Sequence, residues 1–521
     1  MSTSATPSYT ELLLRADTTA AAKDYTKATA LYLEAQRRAP EDAQPRLQLS
    51  YVYSLRGEYR LARQQALEAR HSTRLTTDQL RELIARLRTF NEIPAMLACI
   101  DRLKPLSRIP IPLLISIAAH LTYVNLPERA LTYLDEAKRA DPNYPVTLFA
   151  RGQILTYLGR FSEAQDDLSA GLRRAPEIAQ GYWLQSQLRT QSQSSNHIDQ
   201  IRKQLHKPNR TDRDIALLAF ALHKELDDIG DHPNAWKALM MGCRSKRSTL
   251  QYSTRQSAAL FAELSKYRPQ PPNRQTVTPP QTVPIFIVGM HRSGTTLLEQ
   301  LICASPLVHA AGELYDFTTA MRQVTNHHCK GVIDLEIALR AQSSDIGTAG
   351  THYSSSVQWR LEGQRHFTDK LPSNFLNAGY IAQTLPHAKI LHMVRDPAET
   401  CFSNLRELFS EANPYSYDMD ELADFHDLYR QLMDHWHLQF PGRILDVSYS
   451  RLTSDTRAVM QEVATFCDLP FDEGMLRTDA SKRPVVTASA VQVRGNVRAA
   501  LVPKWQAYRN ELKPLLDRLT S

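Results

Sequence analysis

Cysteine is sparse and unpatterned in this 521-residue chain: Cys99, Cys243, Cys303, Cys329, Cys401 and Cys467 are scattered, with no C-x-x-C. That excludes a disulfide framework or a cysteine-rich zinc module and fits the reduced thiols of a cytosolic protein. No apolar run reaches the roughly 20 residues a membrane helix needs; the longest candidate, Leu113–Leu121, contains His120. The opening MSTSATPSYTELLLRADTT has no basic segment followed by a long apolar one, so no signal peptide is expected. Concentrated basic runs are missing too. A net charge of +7 then suits an anionic cofactor or acidic acceptor better than a nucleic acid. The expectation is a soluble cytoplasmic protein with no membrane span. Its 42% apolar and 22% charged residues are ordinary for globular chains, and its length allows two or three domains.

One further absence is local. The segment PIFIVGMHRSGTTLLEQL (284–301) reads as a buried strand, a tight turn and a helix start, the arrangement that aims backbone N–H groups and a helix dipole at a phosphate. A Walker A loop would carry lysine after its second glycine, but here the residue is Thr295. Without that lysine, a nucleotide with a single 5′ phosphate group fits better than a triphosphate, which disfavours a P-loop kinase. Arg292 brings a full charge to the loop, and Ser293, Thr295 and Thr296 bring hydroxyls around Gly294. The bland alternative for the glycines alone is an ordinary strand–helix turn.

The first half repeats. Tyr25 recurs as Tyr59, Ala28 as Ala62, Ala130 as Ala164 and Pro142 as Pro176, each 34 residues on, which is the tetratricopeptide (TPR) period. Residues 78–105 look helical but lack the small-residue signature, and the period degrades after Pro176 before a helix–turn–helix with Gly230 restores it. A helical solenoid over 1–265 is expected, and its concave surface either recruits a protein partner or packs within the chain. Residues 266–283 are Pro-rich and read as a linker.

From residue 284 strands and helices alternate: the strand-like runs are Leu307–Ala311, His366–Lys370, Ala388–Asp396 and RILDVSYSRL (443–452). This predicts an α/β domain over 284–521 with a mainly parallel sheet, its ligands beyond the strand ends. Arg292, Glu313, Lys370 and Arg395 should converge there. Arg395 at a strand end and Ser403, about a turn inside the next helix, form a second phosphate-type junction. Taken singly, an Arg395–Asp396 ion pair or an exposed Ser403 would be the duller readings.

The loop IVGMHRSGTTLLEQL, the LHMVRDPAETCFSNLRELF segment, FTDKLPSNFLNAG and TASAVQVRGNVRAALVPKWQAY together resemble TPR-linked bacterial sulfotransferases, and their order resembles that of tyrosylprotein sulfotransferases. His291 stands where the family usually has proline. The resemblance implies an enzyme with a P-loop-like fold that uses 3′-phosphoadenosine 5′-phosphosulfate (PAPS) as sulfuryl donor and a hydroxyl acceptor such as protein tyrosine. It implies that Arg292–Thr296 bind the 5′-phosphosulfate and Arg395 with Ser403 the 3′ phosphate, with Arg406 and His392 as neighbours. Tyr449 would border the nucleotide, while Ser489 and Lys504 would belong to a C-terminal lid. Catalysis would rest on Glu313 as base, Lys370 beside the bridging oxygen, Arg292 and Ser489. His291 is the other candidate base.

A different class of function stays open: a TPR scaffold whose α/β domain only senses nucleotide. No metal is expected, because His327-His328-Cys329 and His435-x-His437 lack partners at zinc-site spacing, and Trp436 between the latter reads as buried.

Overall fold

A computed structural model describes residues 7–73, 75–269, 282–361, 363–477, 486 and 503–520. The expected fold class holds: helix pairs of TPR type come first and a parallel α/β sheet second. The pairs are Tyr9–Ala21 and Tyr25–Arg38 (α1, α2), Gln44–Leu55 and Tyr59–Ala69 (α3, α4), Thr77–Thr89 and Ile93–Asp101 (α5, α6), and Ile111–Tyr123 and Pro127–Ala140 (α7, α8). They continue as Pro145–Tyr157 and Phe161–Arg174 (α9, α10), Ala179–Gln187 and Ile198–Leu205 (α11, α12), and Asp212–Asp228 and His232–Ser248 (α13, α14). Thr254–Leu264 (α15) follows them.

First helices of successive pairs start 33 to 35 residues apart, at 9, 44, 77, 111, 145, 179 and 212. The repeat is thus more regular than its side chains suggest. Ala28, Ala62, Ala130 and Ala164 are fully buried, and the same repeat position is filled by Met96 and Ile198, also buried. A larger apolar residue thus fills the same buried position in two of the pairs, which hides the period from a search for small residues. The turns carry a cleaner mark. Lys23, Gly57, Asn91, Asn125 and Gly159 all have positive φ and lie 34 residues apart. A left-handed residue is what reverses the chain between two helices in so short a turn, and glycine and asparagine tolerate it best.

The second half holds five parallel strands: Val283–Val288 (β1), Val308–Ala310 (β2), His366–Asp369 (β3), Lys389–Val394 (β4) and Ile444–Ser448 (β5), in the order β2-β3-β1-β4-β5. β1 is central and buried along its whole length, as a strand covered by helices on both faces must be. Around it pack Ile285, Ile287, Leu298, Leu301, Leu391, Met393, Val447 and Met460. The main helices are Thr295–Ile302 (α16), Asp316–Thr325 (α17), Leu335–Ala341 (α18), Gly347–Val357 (α19), Ala378–Thr384 (α20), Pro397–Leu405 (α21) and Met419–Gln439 (α22). Tyr449–Ser454 (α23), Thr456–Phe466 (α24) and Lys513–Leu519 (α25) complete them. The run RILDVSYSRL is therefore strand only to Ser448. Ser448 Oγ accepts from the Arg451 N–H as an N-cap, and Tyr449 opens α23.

The chain divides into two compact units. One takes the chain up to Val124 together with Tyr315–Trp359; the other takes Asn125–Leu314 and the chain from Arg360 onward. In the first, Arg60 donates to the Gln323 and Val324 carbonyls of α17 at 2.8 and 2.7 Å, and Tyr59 stacks on His328. In the second, α13–α15 pack against the helices that cover the sheet. Phe261 packs on Phe375 and Phe425, and Trp236 lies against Tyr508. No helix among the described residues is long and apolar enough to cross a membrane.

Candidate active site

The turn after β1 is built by two unusual backbone positions. Gly294 has φ +111°, and a Cβ there would stand 2.5 Å from the Tyr449 ring, so only glycine lets loop and ring meet. Arg292 also sits in the left-handed region, at φ +65°, which is uncommon for a long side chain and marks a strained, purposeful turn. α16 then starts at Thr295 with no side chain capping its first amides. The Ser293 hydroxyl is buried without a hydrogen-bond partner among the described residues. A turn with an uncapped helix start, an orphan buried hydroxyl and buried Thr295 and Thr296 is suited to an anion. The residues present therefore fit a phosphate or phosphosulfate group.

The second junction joins the first. Arg292 Nε donates to Ser403 Oγ at 3.3 Å, and Arg395 Nη1 donates to the Arg292 carbonyl at 3.1 Å. The Arg395 guanidinium lies 4.4 Å over the Tyr449 ring and is braced by Glu399 at 2.8 Å. Ser403 stands in the last turn of α21, somewhat beyond the one turn expected, because the helix begins at Pro397 directly after the capping Asp396. Asp396 caps that helix through the Glu399 N–H.

Glu313 and Lys370 form the third group. Lys370 Nζ donates to Glu313 Oε1 at 2.6 Å, with the lysine 1% exposed and the glutamate side chain 31% exposed. A buried ammonium requires such a partner. The Lys370 N–H also donates to the Gly312 carbonyl, 2.9 Å away, tying the end of β3 to the loop after β2. His291 is kept neutral: burial pushes its imidazole down to about 4.

The other residues expected at the site have these surroundings. Lys504 has a largely exposed side chain, with Nζ 3.8 Å from Asp227. Arg406 pairs with the same Asp227 at 3.0 Å. His392 is engaged by Asp446 at 2.7 Å and by the Tyr429 hydroxyl. Ser489 lies outside the described residues. His437 does meet two potential metal ligands, His392 and Asp446, which sequence spacing could not show; Asp446 Oδ1 already accepts from both imidazoles, at 2.7 and 2.8 Å. Trp436 beside it is fully buried, as expected.

Four residues escaped the sequence reading. Glu407 lies 3.7 Å from Arg292, its carboxyl raised by burial. Asp227 gathers Arg406, Lys504 and the Tyr508 hydroxyl (2.6 Å). Tyr157, at the end of α9, takes a hydrogen bond from Gln153 at 2.9 Å; burial and the charges of Glu313 and Glu407 raise its phenol. Asn125 donates to the loop that carries Glu313. Three of them (Asn125, Tyr157 and Asp227) belong to the helical half. Only the turn position of Asn125 carried a periodic signal that could have found it.

Residues 284–473 match the model of the sulfotransferase family. An uncharacterized protein of Aquifex aeolicus is 28% identical over 403 residues, covering 75% of this chain and 52% of that protein. A protein-tyrosine sulfotransferase of Drosophila melanogaster is 26% identical over 210 residues, 37% of this chain and 39% of the fly protein. The chain thus spans about half the length of the first of these relatives and less of the second. Among solved structures, the sulfotransferase domain of the Synechococcus PCC 7002 olefin synthase aligns at 17% identity and a TM-score of 0.27, over 46% of this chain and 98% of that domain. The TPR protein YrrB aligns at 16% and 0.22, over 44% and 91%. Residues 284–473 are a sulfotransferase-family domain, carried on a chain whose first half is built from TPR-type helix pairs.

Proposed function

We propose that the protein transfers a sulfuryl group from PAPS to a hydroxyl acceptor, with protein tyrosine as the leading candidate. Residues 284–521 would act as the transferase half, and the helical half, residues 1–265, would recruit the acceptor or a partner protein. The observation that carries the reading is the Glu313–Lys370 pair together with the Arg292–Thr296 turn, whose Ser293 hydroxyl is buried and unpartnered among the described residues. PAPS, when bound, supplies an electrophilic sulfur and a bisphosphate leaving group. The Arg292–Thr296 turn would hold the 5′ end, and Arg395 with Ser403 the 3′ phosphate. Glu313 would take the proton of the acceptor hydroxyl as its oxygen bonds to sulfur. Lys370 would offset the charge that develops on the oxygen released from sulfur. Six buried cysteines, none of them in a disulfide, support a reducing, cytoplasmic setting.

Incubation with labelled PAPS and a cell extract, followed by mass identification of the labelled product, tests the reading. Glu313→Gln keeps the side chain's size and should lower transfer by roughly 10²–10⁴, the worth of a positioned base, while PAP affinity stays within a few-fold. Near wild-type transfer in Glu313→Gln would move the proton acceptor elsewhere, first to His291.

A further inference from the structure

Asn125 sits at the repeat's left-handed turn position, with φ +62°, just ahead of α8. Backbone geometry there asks only for a glycine or asparagine, and Gly57, two repeats upstream, and Gly159, one repeat downstream, meet the same need with no side chain at all. Asn125 uses its side chain. Its Nδ2 donates to the Ala311 carbonyl at 3.1 Å and to the Glu313 carbonyl at 3.0 Å. The carbonyl between them, Gly312, accepts from the Lys370 N–H at 2.9 Å. Three successive carbonyls around the base are thereby fixed, two of them by one amide group. Gly312 completes the fit: its φ is +75°, and a Cβ there would stand 2.9 Å from Asn125 Nδ2. Tyr157, one helix further on, brings a second side chain of the helical half within electrostatic reach of Glu313.

We propose that Asn125 is a positioning residue for Glu313, so that the helical repeats set the placement of the base as well as any recruitment. The inference rests on the sulfotransferase reading for its catalytic consequence but not for its structural one. A carboxylate acting as base must be held to within a fraction of an ångström, and its own rotamer is only as fixed as the backbone that carries it. Lys370 fixes the far end of the side chain; Asn125 fixes the near end.

Two variants of the full-length chain separate positioning from mere turn formation. Asn125→Gly keeps the left-handed turn and removes both hydrogen bonds; Asn125→Asp keeps turn tolerance and size but replaces the donor with an acceptor. Amide hydrogen exchange over residues 311–314 should quicken at least tenfold in both variants. Asn91→Gly, the same change one repeat upstream, should leave that segment unchanged. Unchanged exchange in Asn125→Gly overturns the proposal whatever reaction the protein performs. With PAPS and 4-nitrophenol or a tyrosine peptide as probes, kcat should fall tenfold or more while PAP affinity stays within twofold. Asn125→Gly added to Glu313→Gln should cost nothing further, since residues acting through one group are non-additive. Additive losses, or equal losses of kcat, PAP affinity and thermal stability, would reduce Asn125 to a turn residue and overturn its role. Absence of transfer by the wild-type protein would instead count against the sulfotransferase reading, leaving the exchange comparison to decide on Asn125.

Discussion

Lys370 is an ammonium sealed from solvent at the end of a strand, and it pairs with the carboxylate of Glu313. Desolvation makes each of them depend on the other, so a change at one disturbs the second. Arg395 is a different kind of cation: it is half-exposed, stacked on Tyr449, and bonded to the backbone of the phosphate-type turn. Replacing Arg395 by Ala removes a charge-assisted contact of about 1.5–3 kcal/mol to a bound phosphate, and PAP affinity measured by calorimetry should drop roughly ten- to a hundredfold. Arg395→Lys keeps the charge but loses the flat guanidinium that both stacks and bridges, and should recover only part of the affinity. Unchanged PAP binding in Arg395→Ala would assign the 3′ phosphate to other residues.

Helices α13–α15 cover the sheet half with side chains that its own sequence cannot replace. Asp227 holds Arg406 and the Tyr508 hydroxyl, Phe220 meets Tyr417, and Phe261 fills a pocket between Phe375 and Phe425. A fragment beginning at residue 280 would expose those rings and leave Arg406 unpaired. It should therefore aggregate or melt at least 10 °C below the full chain in a thermal scan followed by near-ultraviolet circular dichroism, given that a few kcal/mol shifts such midpoints by that much. An isolated fragment melting cooperatively at the full chain's temperature would refute the shared core. The strands and the Gly-rich turn were legible in the sequence because each is a local pattern, whereas the hydrogen bond from Arg292 to Ser403, 111 residues away, was not. The third helix pair was harder to read because Met96 stands in the small-residue position, whereas the left-handed turns at 57, 91 and 125 mark the period directly. Asp227 and Tyr157 gave no signal at all: their roles arise from helices meeting the sheet, and nothing local in ELDD or ILTY distinguishes them from solvated or core residues.

Across the molecule, His120, His223, His291 and His328 are each held down to about 4, burial being the first cause in every case. Their ordinary value is 6.5, so between 6.5 and about 4 the unfolded chain binds more protons than the folded one. Stability must fall as pH drops through that window. Urea midpoints should decline from pH 7 to pH 4.5, and His223→Gln should flatten part of the slope; an unaltered slope would assign the acid sensitivity to other groups. The evenly spaced turns bear on how such a chain can grow. Duplicating a 34-residue unit ahead of Asn125 would leave the amide that meets Glu313 in place. Duplicating one between Asn125 and the sheet would present a different turn residue to the base. Lineages of this architecture should accordingly vary in repeat number at the N-terminal side and keep a constant count between the asparagine and the strand.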